Sequence, residues 1–435
     1  MRIKAYYILL CCFLFSSVLY TQGYIIKDVA FDNDKYTSKT FLRRNVISIK
    51  QGDTLKMEEI EKDCRNLSTL PSIVHVTCSF DTISDNEVIV SFKMDEVISF
   101  YPVFNVNFTE SNQRYLIGGG SLNLFSRNHQ IYLAYMNEML TFHSYNVYYK
   151  IPFLWDTPFG VAFSTNRMNS EEPLFFENGI YRYNYLFNNY AIENQYSFSI
   201  NHSIGLETSY FNEQYQIVPS QSLDMFNGPN QHEDNKLSLK IMHKWFNLDY
   251  HYHQVDGWNN SFYVQRIYDL KRPGTFNLWV NQFKYYKTIK NKKDPSDPTI
   301  RRQQLAFRAI IGTSTNIDSP FAPFVIDSYY NLRGIGTRTD RANGQLVFNA
   351  EYRFDTFTFK KNFVNQLVVY SDQGLFRYPG DKLNSLTFNN YDHYVGLGTR
   401  FLNKRGYTKV IRFDYGVSVK NVNEHGFVLG IGQYF

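Results

Sequence analysis

The feature that most constrains this chain is an alternation of apolar and polar residues, with a period of two, from about residue 99 to residue 435. In VIRFDYGVSVK (410–420), every second residue from Ile411 to Val419 is apolar, while Arg412 and Asp414 stand between them. Neighbouring side chains of a β-strand point to opposite faces, so the pattern predicts strands with one apolar and one polar face. HYVGLGTRF (393–401) and LVFNAEYRF (346–354) repeat it.

Alternation alone would also fit a soluble β-sandwich, so the number and length of the strands decide between the two folds. Aromatic residues make up 18% of the sequence and charged residues only 20%, with no helical periodicity after residue 98 and no apolar run after residue 25 that could span a membrane as a helix. These features predict a transmembrane antiparallel β-barrel, which must close because lipid cannot satisfy an open sheet edge. At roughly 20 residues per strand and connection, residues 99–435 allow about 16 strands. The stretch 170–300 can be divided in more than one way.

The first 23 residues, MRIKAYYILLCCFLFSSVLYTQG, have the pattern of a secretory signal peptide. Arg2 and Lys4 supply a basic start, and an apolar run follows that is short for a membrane span. Two alternatives remain, an N-terminal anchor helix and a lipoprotein signal at Cys11 or Cys12. The sequence does not fix the cleavage point.

Residues 24–98 have mixed periodicity and predict a small α+β domain. The expected elements are a strand at 25–31, a short helix at 37–45 capped by Thr37 or Ser38, an amphipathic helix between Thr54 and Leu70, and two strands near 74–80 and 88–94. Cys64 and Cys78 both fall on core-facing positions. They are expected either to form a disulfide bond or to pack as two buried thiols.

Two motifs in the last third of the chain resemble the BamA/TamA-like outer-membrane insertase superfamily. NLRGIG (331–336) is similar to that family's loop motif, and VVYSDQGLF (368–376) is similar to its strand motif. The resemblance implies a loop folded into the barrel, with a loop arginine that contacts acidic residues of the inner wall. The residues that match the two motifs are Arg333, Gly334, Tyr370, Asp372 and Gly374, and Glu351 lies in the strand between them, where the resemblance implies a second wall acid.

The resemblance extends to both ends of the chain. The order of elements in 24–98 is similar to a polypeptide-transport-associated (POTRA) domain, a periplasmic module, and the family usually carries several of these where this chain has room for one. The terminal GFVLGIGQYF resembles the C-terminal signal of outer-membrane barrels. The family resemblance also implies a lateral seam between a strand near 100–109 and a last strand at 426–435, with Gly426, Gly430, Gly432 and Phe435 as seam residues.

The resemblance implies that the protein assembles or translocates outer-membrane proteins, with its N-terminal domain in the periplasm of a Gram-negative-type bacterium. The implied partners are membrane lipid, unfolded client proteins, and periplasmic chaperones or accessory lipoproteins. The alternative is a passive channel or surface-structural barrel that has lost this activity. We expect no enzymatic activity, cofactor or nucleic-acid partner, because no catalytic or cofactor motif stands out.

Two further sequence features have a functional and an ordinary interpretation. His243, His251 and His253 could bind a metal ion, although ordinary lumen or rim histidines are the favoured interpretation and we expect no metal site. The basic run KYYKTIKNKKDPSDPTIRR (284–302) predicts a solvated loop, or a contact for lipopolysaccharide phosphates if it faces outward.

Overall fold

The computed structural model describes most of the chain beyond the predicted signal peptide, whose residues 1–23 lie outside the described part. The described residues are 24–32, 35–108, 113–138, 141–176, 179–219, 228–251, 253–271, 274–289, 303–316, 322–336, 340–359, 363–382, 391–403 and 410–435. Within them, no helix is long and apolar enough to cross a bilayer.

The N-terminal part forms a three-stranded sheet covered by two helices, in the order β-α-α-β-β. Its elements are β1 (Ile25–Asp32), α1 (Lys39–Asn45), α2 (Met57–Ser68), β2 (Ile73–Ser84) and β3 (Glu87–Glu96). β3 lies in the middle, parallel to β1 and antiparallel to β2. Ser38 caps α1 by accepting a hydrogen bond from the Phe41 amide. Apolar residues of α1, α2 and the sheet form one buried core.

A disulfide bond joins Cys64 on α2 to Cys78 on β2, with 6.2 Å between their Cα atoms. We expect the double substitution Cys64→Ser/Cys78→Ser to destabilise the N-terminal part by about 3 kcal/mol, because the bond closes a short loop in the unfolded chain. Pulse proteolysis of the N-terminal part across a urea series measures this. Reduced wild type should match the double variant, and an unchanged midpoint would contradict the prediction.

The rest of the chain forms a closed barrel of 16 antiparallel strands, which confirms the predicted fold and strand number. The barrel strands are β4 (Phe100–Phe108), β5 (Gln113–Leu124), β6 (His129–Glu138), β7 (Phe142–Ile151), β8 (Phe159–Phe176), β9 (Gly179–Ser199), β10 (His202–Ile217), β11 (Gln231–His251), β12 (Gln254–Asp269), β13 (Thr275–Ile289), β14 (Gln303–Ser314), β17 (Gly344–Phe359), β18 (Phe363–Arg377), β19 (Tyr391–Asn403), β20 (Val410–Ser418) and β21 (His425–Ile431). Two short strands, β15 (Phe324–Ile326) and β16 (Asp340–Ala342), pair with each other in the connection between β14 and β17.

The two faces of the barrel wall differ in polarity as the alternation predicts. In β17, Leu346, Phe348 and Tyr352 are exposed on the outside, whereas Glu351 and Arg353, on either side of Tyr352, are buried inside. The same division runs through β18, β19 and β20. An apolar outer surface with a charged interior is the pattern of a barrel that spans a bilayer.

The height of the wall varies around the barrel. β8 to β13 are 15 to 21 residues long. In the described part of the chain, β4 to β7 and β20 and β21 are only 7 to 12 residues long. The shortest part of the wall is therefore the part where the first and last barrel strands meet.

The last strand is shorter than the sequence predicted. We expected it to run from 426 to 435 with Phe435 on the apolar face, but β21 ends at Ile431. Gly432 adopts a φ of +95°, which is the left-handed region where glycine is favoured, and the chain turns there. Tyr434 and Phe435 are consequently buried inside the barrel, where they pack against Tyr286 and Ala306.

The N-terminal part contacts two turns at one end of the barrel. The Ser38 amide donates a hydrogen bond to the Ser126 carbonyl in the β5–β6 turn (2.9 Å). Arg44 forms an ion pair with Asp156 in the β7–β8 turn (2.9 Å), and Phe41 contacts Phe153 there. Because barrel strands alternate in direction, this is also the end at which β21 finishes. We call it the N-domain end.

Candidate functional site

The connection between β14 and β17 folds into the barrel from the end opposite the N-domain end. Residues 322–336 and 340–343 of this connection are described, and we call them the lumen loop. Ile326 and Leu332 anchor it by packing against Val347, Phe376 and Tyr394 of the wall. The Ser328 amide donates to the Gly336 carbonyl (2.7 Å), which closes the tip into a compact turn.

Arg333 lies at the tip of the lumen loop and is completely buried. Its Nε and Nη2 atoms donate to the two carboxylate oxygens of Asp372 at 2.8 and 2.9 Å, which is a bidentate arrangement. Its Nη1 atom donates to Glu351, and its backbone amide also donates to Asp372 (3.1 Å). The structure therefore brings together the loop arginine and the two wall acids that the sequence analysis named.

Two tyrosine rings enclose the Arg333 guanidinium. Its Cζ atom lies 3.6 Å from the ring centroid of Tyr370 and 4.1 Å from that of Tyr434. A cation that has lost its water is strongly attracted to aromatic faces. Tyr434 also donates a hydrogen bond to the Ser328 carbonyl (3.1 Å), so the last residues of the sequence hold the loop tip from a second direction.

Glycines allow the loop backbone to approach the wall. Gly334 adopts a φ of +100°, and a Cβ atom there would lie 2.7 Å from the Gly416 carbonyl oxygen. Gly416 of β20 faces the Arg333 carbonyl in the same way, with 2.4 Å left for a Cβ atom. Gly374 makes room for the Phe376 ring and for Leu332 of the loop. Side chains at these positions would separate loop and wall.

More charged residues surround this site than the sequence analysis named. Asp414 of β20 forms an ion pair with Arg400 (2.7 Å) and lies 3.7 Å from Arg333. Arg353 donates to Glu351 (2.7 Å), and Asn349 donates to Asp372 (2.7 Å). The alternation signalled that these side chains face the lumen, but it could not show which strands would lie side by side.

A second buried ion pair holds the other end of the loop tip. Arg114 of β5 donates to both carboxylate oxygens of Asp327 at 2.9 and 3.0 Å, and both side chains are almost fully buried. A third pair joins Arg341 of β16 to Glu172 of β8 at 2.7 Å. In the Arg114–Asp327 pair the wall supplies the arginine and the loop supplies the acid, whereas at the Arg333 site the loop supplies the arginine and the wall supplies the acids.

The predicted seam lies between β21 and β4. The described residues pair at four positions, from Phe427–Phe108 to Gly430–Asn105, whereas β20 and β21 pair at seven. Gly430 is thus at the end of the seam pairing, and Gly426 lies against Gly334 of the loop. Gly432 and Phe435, which we had expected in the seam, lie beyond β21 because the chain turns inward at Gly432.

The remaining sequence candidates are dispersed. His243 contacts His202 (2.9 Å), and His253 contacts Asp355 (3.1 Å), while the side chain of His251 lies outside the described part of the structure. The described residues contain no group of three potential metal ligands. Most of the basic run, 290–302, is outside the described residues. Its flanks, Ile289 and Gln303, lie at the N-domain end of the barrel.

Three solved structures have a fold similar to that of this chain. BamA from Haemophilus ducreyi lacking POTRA domains 1–3 is 12% identical with a TM-score of 0.50, over 94% of this chain and 84% of that one. CdiB from Acinetobacter baumannii is 15% identical with a TM-score of 0.58, over 94% and 74%. CdiB from Escherichia coli is 8% identical with a TM-score of 0.56, over 94% and 76%. No protein-family model matches the chain, and neither does any curated protein sequence.

The fold and the site together define a class of protein. The chain is a transmembrane β-barrel of 16 strands with an internal loop bound to its wall, and its fold is similar to that of the BamA and CdiB barrels.

Proposed function

We propose that this protein resides in the outer membrane and inserts or translocates other outer-membrane proteins through the seam between β21 and β4. The observation that carries the proposal is the seam itself, where the described pairing stops at Gly430–Asn105. The proposal assigns no chemical reaction to the protein.

The seam leaves part of a strand edge available to another chain. Phe100 to Phe104 of β4 pair with β5 on one side but have no partner on the β21 side among the described residues. Unpaired strand edges bind other strands by backbone hydrogen bonding. Gly430 adds little stability at the end of the ladder, because a strand glycine has no side chain to pack. A client strand could therefore extend this edge.

The lumen loop is suited to control how far the seam opens. It contacts β5 through Asp327 and Arg114, and it contacts β17 and β18 through Arg333. These contacts lie on opposite sides of the seam, so the loop joins the two sides from within. We propose that this loop keeps the barrel closed at rest and holds the two sides in register when the seam separates.

The remaining partners follow from the same proposal. The N-terminal part would act as a single POTRA-like domain in the periplasm and present sheet edges to unfolded clients, chaperones or accessory lipoproteins. The end opposite the N-domain end would then face outward. In this orientation the flanks of the basic run 284–302 lie on the periplasmic side, which does not favour the lipopolysaccharide contact.

Cysteine crosslinking tests the proposal. We expect Phe104→Cys, on the unpaired edge, to form disulfides with single cysteines placed along the last strand of a client barrel during its assembly. The matched control is Ile192→Cys on β9, which is exposed on the outside but lies within a fully paired ladder.

A second pair reports whether the seam opens at all. Val106→Cys and Leu429→Cys face each other across the seam and should crosslink in the resting barrel. This crosslink should prevent Phe104→Cys, on the unpaired edge of β4, from forming disulfides with the client. If Phe104→Cys captures no client under conditions where clients assemble, the barrel is a passive channel or a surface-structural protein.

A further inference from the structure

A polar cavity of about 220 Å³ lies at the point where the seam pairing ends. Its polar lining comes from Asn105 of β4, Arg308 of β14, Arg412 of β20, and Gln433 and Tyr434 beyond β21. We propose that this cavity binds a phosphate group. Its binding can be measured without a client, so the inference does not depend on the proposed function.

The cavity contains buried donors with no acceptor among the described residues. Arg412 is almost fully buried, and its Nε and Nη1 atoms have no hydrogen-bond partner. The Asn105 Nδ2 atom is also buried without a hydrogen-bond partner among the described residues. Both side chains flank Gly430, where a Cβ atom would lie 2.8 Å from Asn105 and 3.0 Å from Arg412. Buried donors without acceptors are costly, so their convergence on one cavity indicates an acceptor ligand.

The charge around the cavity indicates that this acceptor is an anion. Among the described residues, Arg308 donates to two neutral oxygens, the Asn349 side chain and the Tyr330 carbonyl, both at 2.9 Å. Asp414, the nearest acid to Arg412, lies 3.8 Å away and forms a closer ion pair with Arg400, at 2.7 Å. None of the described lining residues carries a carboxylate. Two buried guanidinium groups therefore face the cavity without a hydrogen-bonded counter-charge.

The donors, size and position of the cavity suit a phosphate group. Guanidinium groups match phosphate oxygens in geometry, and the cavity has room for a phosphate with a small substituent. Phe104 and Ile431, which belong to the apolar outer faces of β4 and β21, also line it. The cavity thus extends to the seam and to the lipid beside it. The phosphate could belong to a lipid headgroup or be a free ion.

Thermal unfolding of the full-length protein in maltoside micelles distinguishes these sources. Ligands that bind the folded state raise its unfolding temperature. One series adds phosphatidylglycerol, a second adds diacylglycerol with the same acyl chains, and a third replaces chloride by inorganic phosphate at constant ionic strength. We expect phosphatidylglycerol to raise the unfolding temperature of wild type and diacylglycerol to leave it unchanged. A shift with inorganic phosphate alone would identify the free ion as the ligand.

The variants assign any shift to the cavity. Arg308→Gln/Arg412→Gln should weaken binding about tenfold or more, because each side chain loses charged hydrogen bonds. Lys240→Gln, a lumen cation paired with Glu207 far from the seam, should keep the wild-type shift. Asn105→Leu removes one donor without changing the charge. It should weaken binding by a smaller factor, and it provides the comparison if the double variant does not fold.

Three results would overturn the inference. Wild type could respond to neither form of phosphate, or the double variant and Asn105→Leu could respond as strongly as wild type. Equally, a peptide with a free C-terminal carboxylate could raise the unfolding temperature where phosphate does not, which would make the cavity a site for a protein chain.

Discussion

Replacing Arg333 by alanine is expected to lower the free energy of unfolding of the barrel by about 3–5 kcal/mol, the usual effect of removing one partner from a buried ion pair. The substitution leaves Asp372 and Glu351 buried without their main cation, and it leaves the Tyr370 and Tyr434 rings facing an empty space. Urea unfolding of the protein in vesicles measures the loss. If the proposed function is correct, client barrels should also accumulate less in the membrane while this protein is still expressed.

Two control substitutions make the Arg333 result specific. Arg333→Lys keeps the charge but cannot bind Asp372 in a bidentate manner, so we expect an intermediate loss. Arg182→Ala removes a half-exposed arginine that lies 3.9 Å from Glu171, and it should change stability by no more than about 1 kcal/mol. A wild-type unfolding midpoint for Arg333→Ala would show that the buried contact does not stabilise the barrel. Normal client levels in a stable variant would refute the proposed role in assembly.

Exchanging the charges of Arg114 and Asp327 should give the second large effect. Each single reversal, Arg114→Asp or Asp327→Arg, places two like charges together in a buried site. We expect each to cost several kcal/mol. The double exchange restores an attractive pair and should recover a substantial part of the loss, although the new geometry is not the original one.

The same variants test whether the loop joins the two sides of the seam. Crosslinking between Val106→Cys and Leu429→Cys should fall in the single reversals and recover in the double exchange. If the double exchange loses as much unfolding free energy as the two single reversals added together, Arg114 and Asp327 stabilise the protein independently and are not coupled. If seam crosslinking is unaffected in all three variants, the loop does not hold the seam.

The barrel could be predicted from the sequence because its signal is distributed over many strands. Many strands show the alternation that a wall between lipid and a polar lumen requires, with apolar residues outward and polar residues inward. The length of the region then sets the approximate number of strands. Arg333 and Asp372 could be named because two short motifs contain them, and Glu351 because it faces the lumen in the strand between those motifs. The predicted order of elements in the N-terminal part also matches the structure.

The contacts that the sequence analysis missed depend on long-range geometry. Asp327 lies four residues before the NLRGIG motif and Arg114 lies in an early strand, but 213 residues separate them and no local pattern connects them. The inward turn after Ile431 was missed for a different reason. Gln433 interrupts the apolar face between Ile431 and Phe435, but one polar residue does not show where a strand ends, and the φ of Gly432 decides the direction of the chain.

The shortness of β21 has a consequence for the surrounding bilayer. This strand has 7 residues, with described residues on both sides of it. At about 3.3 Å per residue and a tilt of about 45°, it reaches roughly 16 Å, against about 30 Å for the hydrocarbon layer. Hydrophobic mismatch of this size must be relieved by the lipids, whose acyl chains shorten or tilt beside β21. The bilayer should therefore be thinner beside β21 than around the rest of the barrel.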